Sequence, residues 1–193
     1  MRNRSTGIFV AAATTLAACV PLLPQQYHEP AAPGGEILVN PCWGRKDHIV
    51  FKQEGVEVRA GIITAKRGPL LEVMFRVPEG KRVVLADAGV SVVNERTAVA
   101  GAAAPAPLPF LGLSSTGNPE LPMMKIAPLA GGYFDGNPNY PWNYWLYAPL
   151  AMEQSDPLRV VLPSFSVNGH TVALPEIRFA PQTHVQVMAP LQC

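Results

Sequence analysis

Three cysteines, four histidines and one dense run of aromatic rings are the groups in this 193-residue chain best equipped for chemistry. Cys42 is followed by Trp43 and Gly44, and a thiolate there would need an imidazole brought beside it by the fold. The local pattern matches no cysteine-protease signature. His28, His48, His170 and His184 are scattered, whereas zinc needs three or four converging ligands, often at short local spacing; neither HExxH nor paired CxxC occurs. No metal and no cofactor is therefore expected. Gly112-Leu113-Ser114-Ser115-Thr116-Gly117 is not a GxSxG elbow, and Gly131-Gly132 leads into aromatics rather than a phosphate loop. Asp135, Glu153 and Asp156 stand alone, so an acid/base pair would depend on tertiary proximity. No catalytic residue is assigned, and the chain is expected not to be an enzyme.

The aromatic run is the best binding candidate. Tyr133, Phe134, Tyr140, Trp142, Tyr144, Trp145 and Tyr147 are interspersed with Gly131, Gly132, Gly136, Asn137, Asn139 and Asn143. Flat rings beside amides suit stacking on a sugar face or gripping an extended peptide, with Tyr140, Trp142, Tyr144 and Trp145 as the contact residues. The competing reading is packing, with Trp145 and Tyr147 as the inward residues of a strand over 143–148. A nucleic-acid partner has no electrostatic basis, since the formal charge is +1 and no Lys/Arg run occurs.

The elements that position these groups read as strands. Leu71, Val73, Phe75 and Val77 alternate with Glu72, Met74 and Arg76, which places one set on a buried face and the other toward solvent. Residues 48–52 and 56–64 flank Glu54-Gly55 as a hairpin. Asn168-Gly169 favours a two-residue turn, fixing Val167 opposite His170, Ser166 opposite Thr171 and Phe165 opposite Val172. Further strands are expected over 82–86, 90–94, 177–179 and 184–188, the last two each closed by a proline, Pro181 and Pro190. Helices should be short or absent. Eight or nine short strands with Gly/Pro turns point to an all-β fold, an immunoglobulin-like β-sandwich in architecture, with a small barrel as the alternative. Residues 98–141, rich in alanine and proline, form a long insertion, a length that is usually functional or mobile.

Leu16-Ala17-Ala18-Cys19 follows Arg2, Arg4 and an apolar stretch from Gly7, the layout of a secretion signal. The four residues resemble the lipobox of bacterial lipoproteins, in which the cysteine is lipidated and becomes the first residue of the mature chain. The resemblance implies a signal peptide over 1–18, a lipid on Cys19 and, since Val20 replaces the aspartate of inner-membrane retention, an outer-membrane location facing the periplasm. It covers only about the first 20 residues and implies no fold or activity beyond them. Losing Arg2 and Arg4 with the signal would turn the charge to −1. Residues 19–35 read as a lipidated, proline-rich tether, with about 3.1 Å of reach per residue. Residues 36–193 form one domain, and the 48% apolar composition of the whole chain is that of a globular protein. With Cys19 lipidated, Cys42 and Cys193 are expected to pair as a disulfide in an oxidising compartment. The expected role is structural or protein-interacting, with the membrane and an envelope protein as partners; the alternative is a glycan- or peptide-binding module built on 133–147.

Overall fold

Alternating apolar residues build the architecture strand by strand. The computed structural model describes residues 22–40, 44–87, 89–98, 107–110, 113–114, 133–135 and 142–187. Among these there are strands and no helix. In chain order they are β1 (Leu22–Ala31), β2 (Glu36–Leu38), β3 (His48–Gln53), β4 (Val56–Ala65), β5 (Gly68–Val77), β6 (Arg82–Leu85), β7 (Gly89–Asn94), β8 (Leu108–Pro109), β9 (Leu113–Ser114), β10 (Tyr133–Asp135), β11 (Trp142–Pro149), β12 (Leu158–Val161), β13 (Phe165–Val167), β14 (His170–Val172) and β15 (Ile177–Val187). They form three antiparallel sheets, ordered β2-β3-β4-β5-β11-β9, β1-β15-β12-β7-β8 and β10-β6-β13-β14. None closes on itself, so the barrel alternative is set aside.

One core joins all three sheets. Ile49, Phe51, Val58, Val73 and Phe75 come from the six-stranded sheet, Leu158, Val160, Ile177 and Phe179 from the five-stranded one, and Val83, Leu85, Phe165 and Val167 from the four-stranded one. Phe75 meets Phe165 edge to face, with ring centroids 5.3 Å apart, the arrangement that ring quadrupoles favour. Both expected hairpins form. Glu54 (φ 51°) and Gly55 (φ 81°) turn β3 into β4, Asn168 (φ 49°) and Gly169 (φ 89°) turn β13 into β14, and Phe165, Val167, Val172 and Leu174 are buried. Positive φ at both turn positions matches the strand twist.

The 19–35 segment differs from its expected form. Residues 22–31 are not part of a tether: they are β1, paired along their whole length with β15, from Leu22 opposite Val187 to Ala31 opposite Arg178. Prolines fit because of where they fall in the ladder. Pro24 and Pro30 occupy alternate positions of β1, and Pro181 of β15 pairs with His28, in the same alternating class. The Gln26 carbonyl, also in that class, turns away from β15 to accept a bond from Gln154 Nε2 at 3.0 Å. Each proline thus lacks only an N–H that would have pointed away from the partner strand. The same geometry corrects the expected break at Pro181: β15 runs through it as one strand.

The insertion over 98–141 is also tied in where it is described. β8, β9 and β10 lie within it and sit at one end of the five-, six- and four-stranded sheets respectively. Cys19, Cys42, Cys193 and Tyr140 lie outside the described residues, as does the side chain of Trp142.

Candidate functional site

Partner residues in an antiparallel sheet share a face, and one lateral row of the six-stranded sheet gathers titratable side chains. Leu38 of β2 lies opposite His48, His48 opposite Gly61, Gly61 opposite Glu72, and Glu72 opposite Tyr147. This row is on the face turned away from Ile49, Val73 and Leu146, which belong to the shared core. Even so, Tyr147 is fully buried and His48 nearly so.

His48 and Glu72 are two strands apart, about 10 Å along the sheet. Gly61 makes their contact possible. A Cβ at Gly61 would collide with His48 Cδ2, and would sit 2.6 Å from Nε2 and 2.7 Å from the Asp47 carbonyl oxygen. The imidazole therefore lies in the space that any other residue would fill. Its Nε2 comes 3.3 Å from Glu72 Oε1, an ion-pair contact too bent for a hydrogen bond. On the other side Nδ1 donates to Asp47 Oδ1 at 2.7 Å. Arg45 Nε lies 3.4 Å from the second Asp47 oxygen, and Arg45 also donates to Gln25 of β1 at 3.2 Å.

Burial opposes a charge on His48 most strongly. The carboxylates of Asp47 and Glu72 outweigh it, against some repulsion from Arg59, and hold the imidazole above its ordinary value. Asp47 is likewise penalised by burial first, but its bond to His48 and the nearby cations bring its pKa below the usual range. Burial, then Glu72, keeps Tyr147 protonated well beyond the ordinary phenol range. Its hydroxyl faces Glu72, but among the described residues it makes no hydrogen bond of good geometry. A buried hydroxyl in that state is a cost, so Tyr147→Phe is expected to leave stability unchanged or raise it by up to about 1 kcal/mol. Urea denaturation measures this, and a loss above that size would mean that the hydroxyl is bonded.

A cleft of about 460 Å³ opens beside this row, between β1 and the β4–β5 hairpin. Asp47 and Arg45 form one wall, Tyr27 and His28 of β1 another, and Ile62, Ile63 and Met152 supply apolar surface. His28 is 2% exposed, and its Nε2 lies 3.0 Å from the Asp156 carbonyl oxygen. Asp156 is fixed in turn: Oδ2 accepts from the Glu153 N–H and Asn94 Nδ2, each at 2.8 Å, and Arg96 lies 3.3 Å from Oδ1. The Glu153 N–H is the main reason its carboxyl is held below the usual range. Burial pushes His28 down, against the Asp156 carbonyl.

The two buried histidines make opposite contributions to stability across neutral pH. His48, raised when folded, stabilises fully below 6.5, and that stabilisation is lost as pH rises through the folded value. His28, lowered when folded, stabilises above 6.5, and its share is lost as pH falls through its folded value. Thermal midpoints followed from pH 5 to 9 should therefore fall on both sides of neutrality. NMR titration should show one imidazole above 6.5 and one below; two ordinary titrations would contradict both environments.

The sequence-predicted site residues do not converge. His170 is exposed and His184 half-buried, and among the described residues no three His, Cys, Asp or Glu side chains are placed to hold a metal ion. Trp145 is half-buried beside Met74, and Tyr144 packs against the core. The expected strand over 143–148 exists as β11, but its parity is opposite to the expected one: Tyr144, Leu146 and Ala148 face the core, and Trp145 and Tyr147 face away. The reason is register, since Leu146 pairs with Val73. Sequence reading missed the His48 row. The signal was present in part, because the Glu54-Gly55 turn already places residue 48 opposite 61.

No family model matches the chain. No curated protein matches it, and no solved structure does.

Proposed function

We propose that this chain is a bacterial outer-membrane lipoprotein, held by lipid on Cys19 and facing the periplasm, with a non-enzymatic structural or protein-interaction role in the envelope. The body is read as an immunoglobulin-like sandwich. The anchor rests on Leu16-Ala17-Ala18-Cys19. The observation that carries the non-enzymatic half is His48. Both nitrogens of this buried ring face carboxylates, Nδ1 at 2.7 Å from Asp47 and Nε2 at 3.3 Å from Glu72, so neither is open to a substrate. A disulfide between Cys42 and Cys193 belongs to the same reading. Its support is the oxidising compartment that the anchor implies.

Because β1 begins at Leu22, only three residues after the lipid site, the body would sit close against the membrane. Intact mass from the native host should show loss of residues 1–18 and acyl chains on Cys19. A Cys19→Ala variant should leave the membrane fraction; its continued retention there, or an unmodified thiol in the native chain, would overturn the anchor. Crosslinking in intact cells followed by mass spectrometry should then recover an envelope protein. The second reading, a glycan- or peptide-binding module on 133–147, is favoured by Trp145, the one candidate ring described as half-buried on the face away from the core.

A further inference from the structure

We propose that the cleft between β1 and the β4–β5 hairpin is a binding site for a neutral saccharide, with His28 Nδ1 as a hydrogen-bond acceptor for a sugar hydroxyl. The site stands on the cleft alone and does not depend on the lipid anchor or on the 133–147 aromatics.

A backbone carbonyl can only accept, so the 3.0 Å contact with Asp156 puts the His28 proton on Nε2. Nδ1 is then a bare lone pair. Among the described residues no group bonds to it, and the ring lines the cleft. A buried side chain, 2% exposed, with an unpartnered nitrogen in a ring that lines a cavity is a built acceptor awaiting a donor. Burial holds this imidazole neutral, so the site makes no demand for an anion. The charges on the opposite wall are already matched, with Arg45 on Asp47 and Asp47 on His48.

The ligand is therefore uncharged and rich in donors. Two features select a saccharide over an extended peptide. A peptide would add to the free edge of β1, but Pro24 and Pro30 present no N–H on that edge, and the Gln26 carbonyl is taken by Gln154. The ladder on that edge is therefore interrupted on both sides of Gln26 and His28, and the cleft offers side-chain chemistry instead: Gln26, Thr64 and Gln154 line it around the apolar surface of Ile62, Ile63 and Met152. Hydroxyls on the rim of a pyranose meet the polar groups while its C–H face meets the apolar ones. The volume of about 460 Å³ lies in the range of small-ligand sites.

The test uses the full chain, purified in detergent, on an array of neutral di- to tetrasaccharides of glucose, galactose and N-acetylglucosamine, with a random peptide array alongside. At least one neutral saccharide should be retained, and Ile63→Glu, which places a charge on the half-buried apolar wall, should weaken it tenfold or more with an unchanged thermal midpoint. His28→Leu should abolish retention. Because His28 also holds Asp156, His28→Gln is the companion: its amide can donate to the Asp156 carbonyl and offer an oxygen to the cleft, so it should restore measurable retention. Retention of no saccharide, retention indifferent to Ile63→Glu, or retention of peptides alone would overturn the proposal.

Discussion

Gly61→Ala should be among the most damaging single substitutions in this chain, lowering stability by about 3 kcal/mol or more. The added methyl meets the His48 ring and, at 2.7 Å, the Asp47 carbonyl oxygen, which is backbone and cannot swing aside. Overpacking alone costs about 1–3 kcal/mol, and moving the ring also breaks the contact with Glu72. For a chain of this size the thermal midpoint should drop by roughly 10 °C. A double-mutant cycle separates the causes: in a His48→Ala background Gly61→Ala should cost less, because only the carbonyl clash remains. A Gly61→Ala protein melting like the parent would show that the row does not depend on this gap.

His48→Leu is expected to cost about 3–5 kcal/mol, the usual penalty for removing one partner of a buried ion pair. The leucine fills the space, so the loss is electrostatic: the carboxylates of Asp47 and Glu72 are left facing a hydrocarbon. Arg45 still holds one oxygen of Asp47, which leaves Glu72 as the worse-placed charge. Adding Glu72→Gln to His48→Leu should therefore recover part of the loss in urea denaturation. A single variant within 1 kcal/mol of the parent would mean that the imidazole is neutral in the fold.

The hairpins were legible in the sequence because two-residue turns set register by local chemistry. Asn168-Gly169 placed every pair of β13 and β14, and Glu54-Gly55 by itself puts His48 beside Gly61. The alternation of Leu71, Val73, Phe75 and Val77 correctly marked a core face. It misjudged the other face, because Glu72 and Met74 are covered there as well, and alternation cannot distinguish water from a second layer of protein. Glu72 meets Tyr147 only through the pairing of β5 with β11, strands separated by the whole insertion, for which no local signal exists. The proline-rich start misled for a physical reason: composition reports how many N–H groups are missing, whereas a ladder requires only every second one. His28 was read as part of a tether for the same reason, so the cleft it lines was invisible until β1 was placed.

The pairing of β1 with β15 also sets the order in which the molecule can assemble. Among the described residues β1 has its only full-length partner in β15, so it cannot dock until the chain is available as far as residue 187. Such long-range closure is entropically slow. A chain lacking its last dozen residues should then be left with its leading segment unzipped and the carbohydrate pocket missing a wall, whatever the rest of the body has achieved.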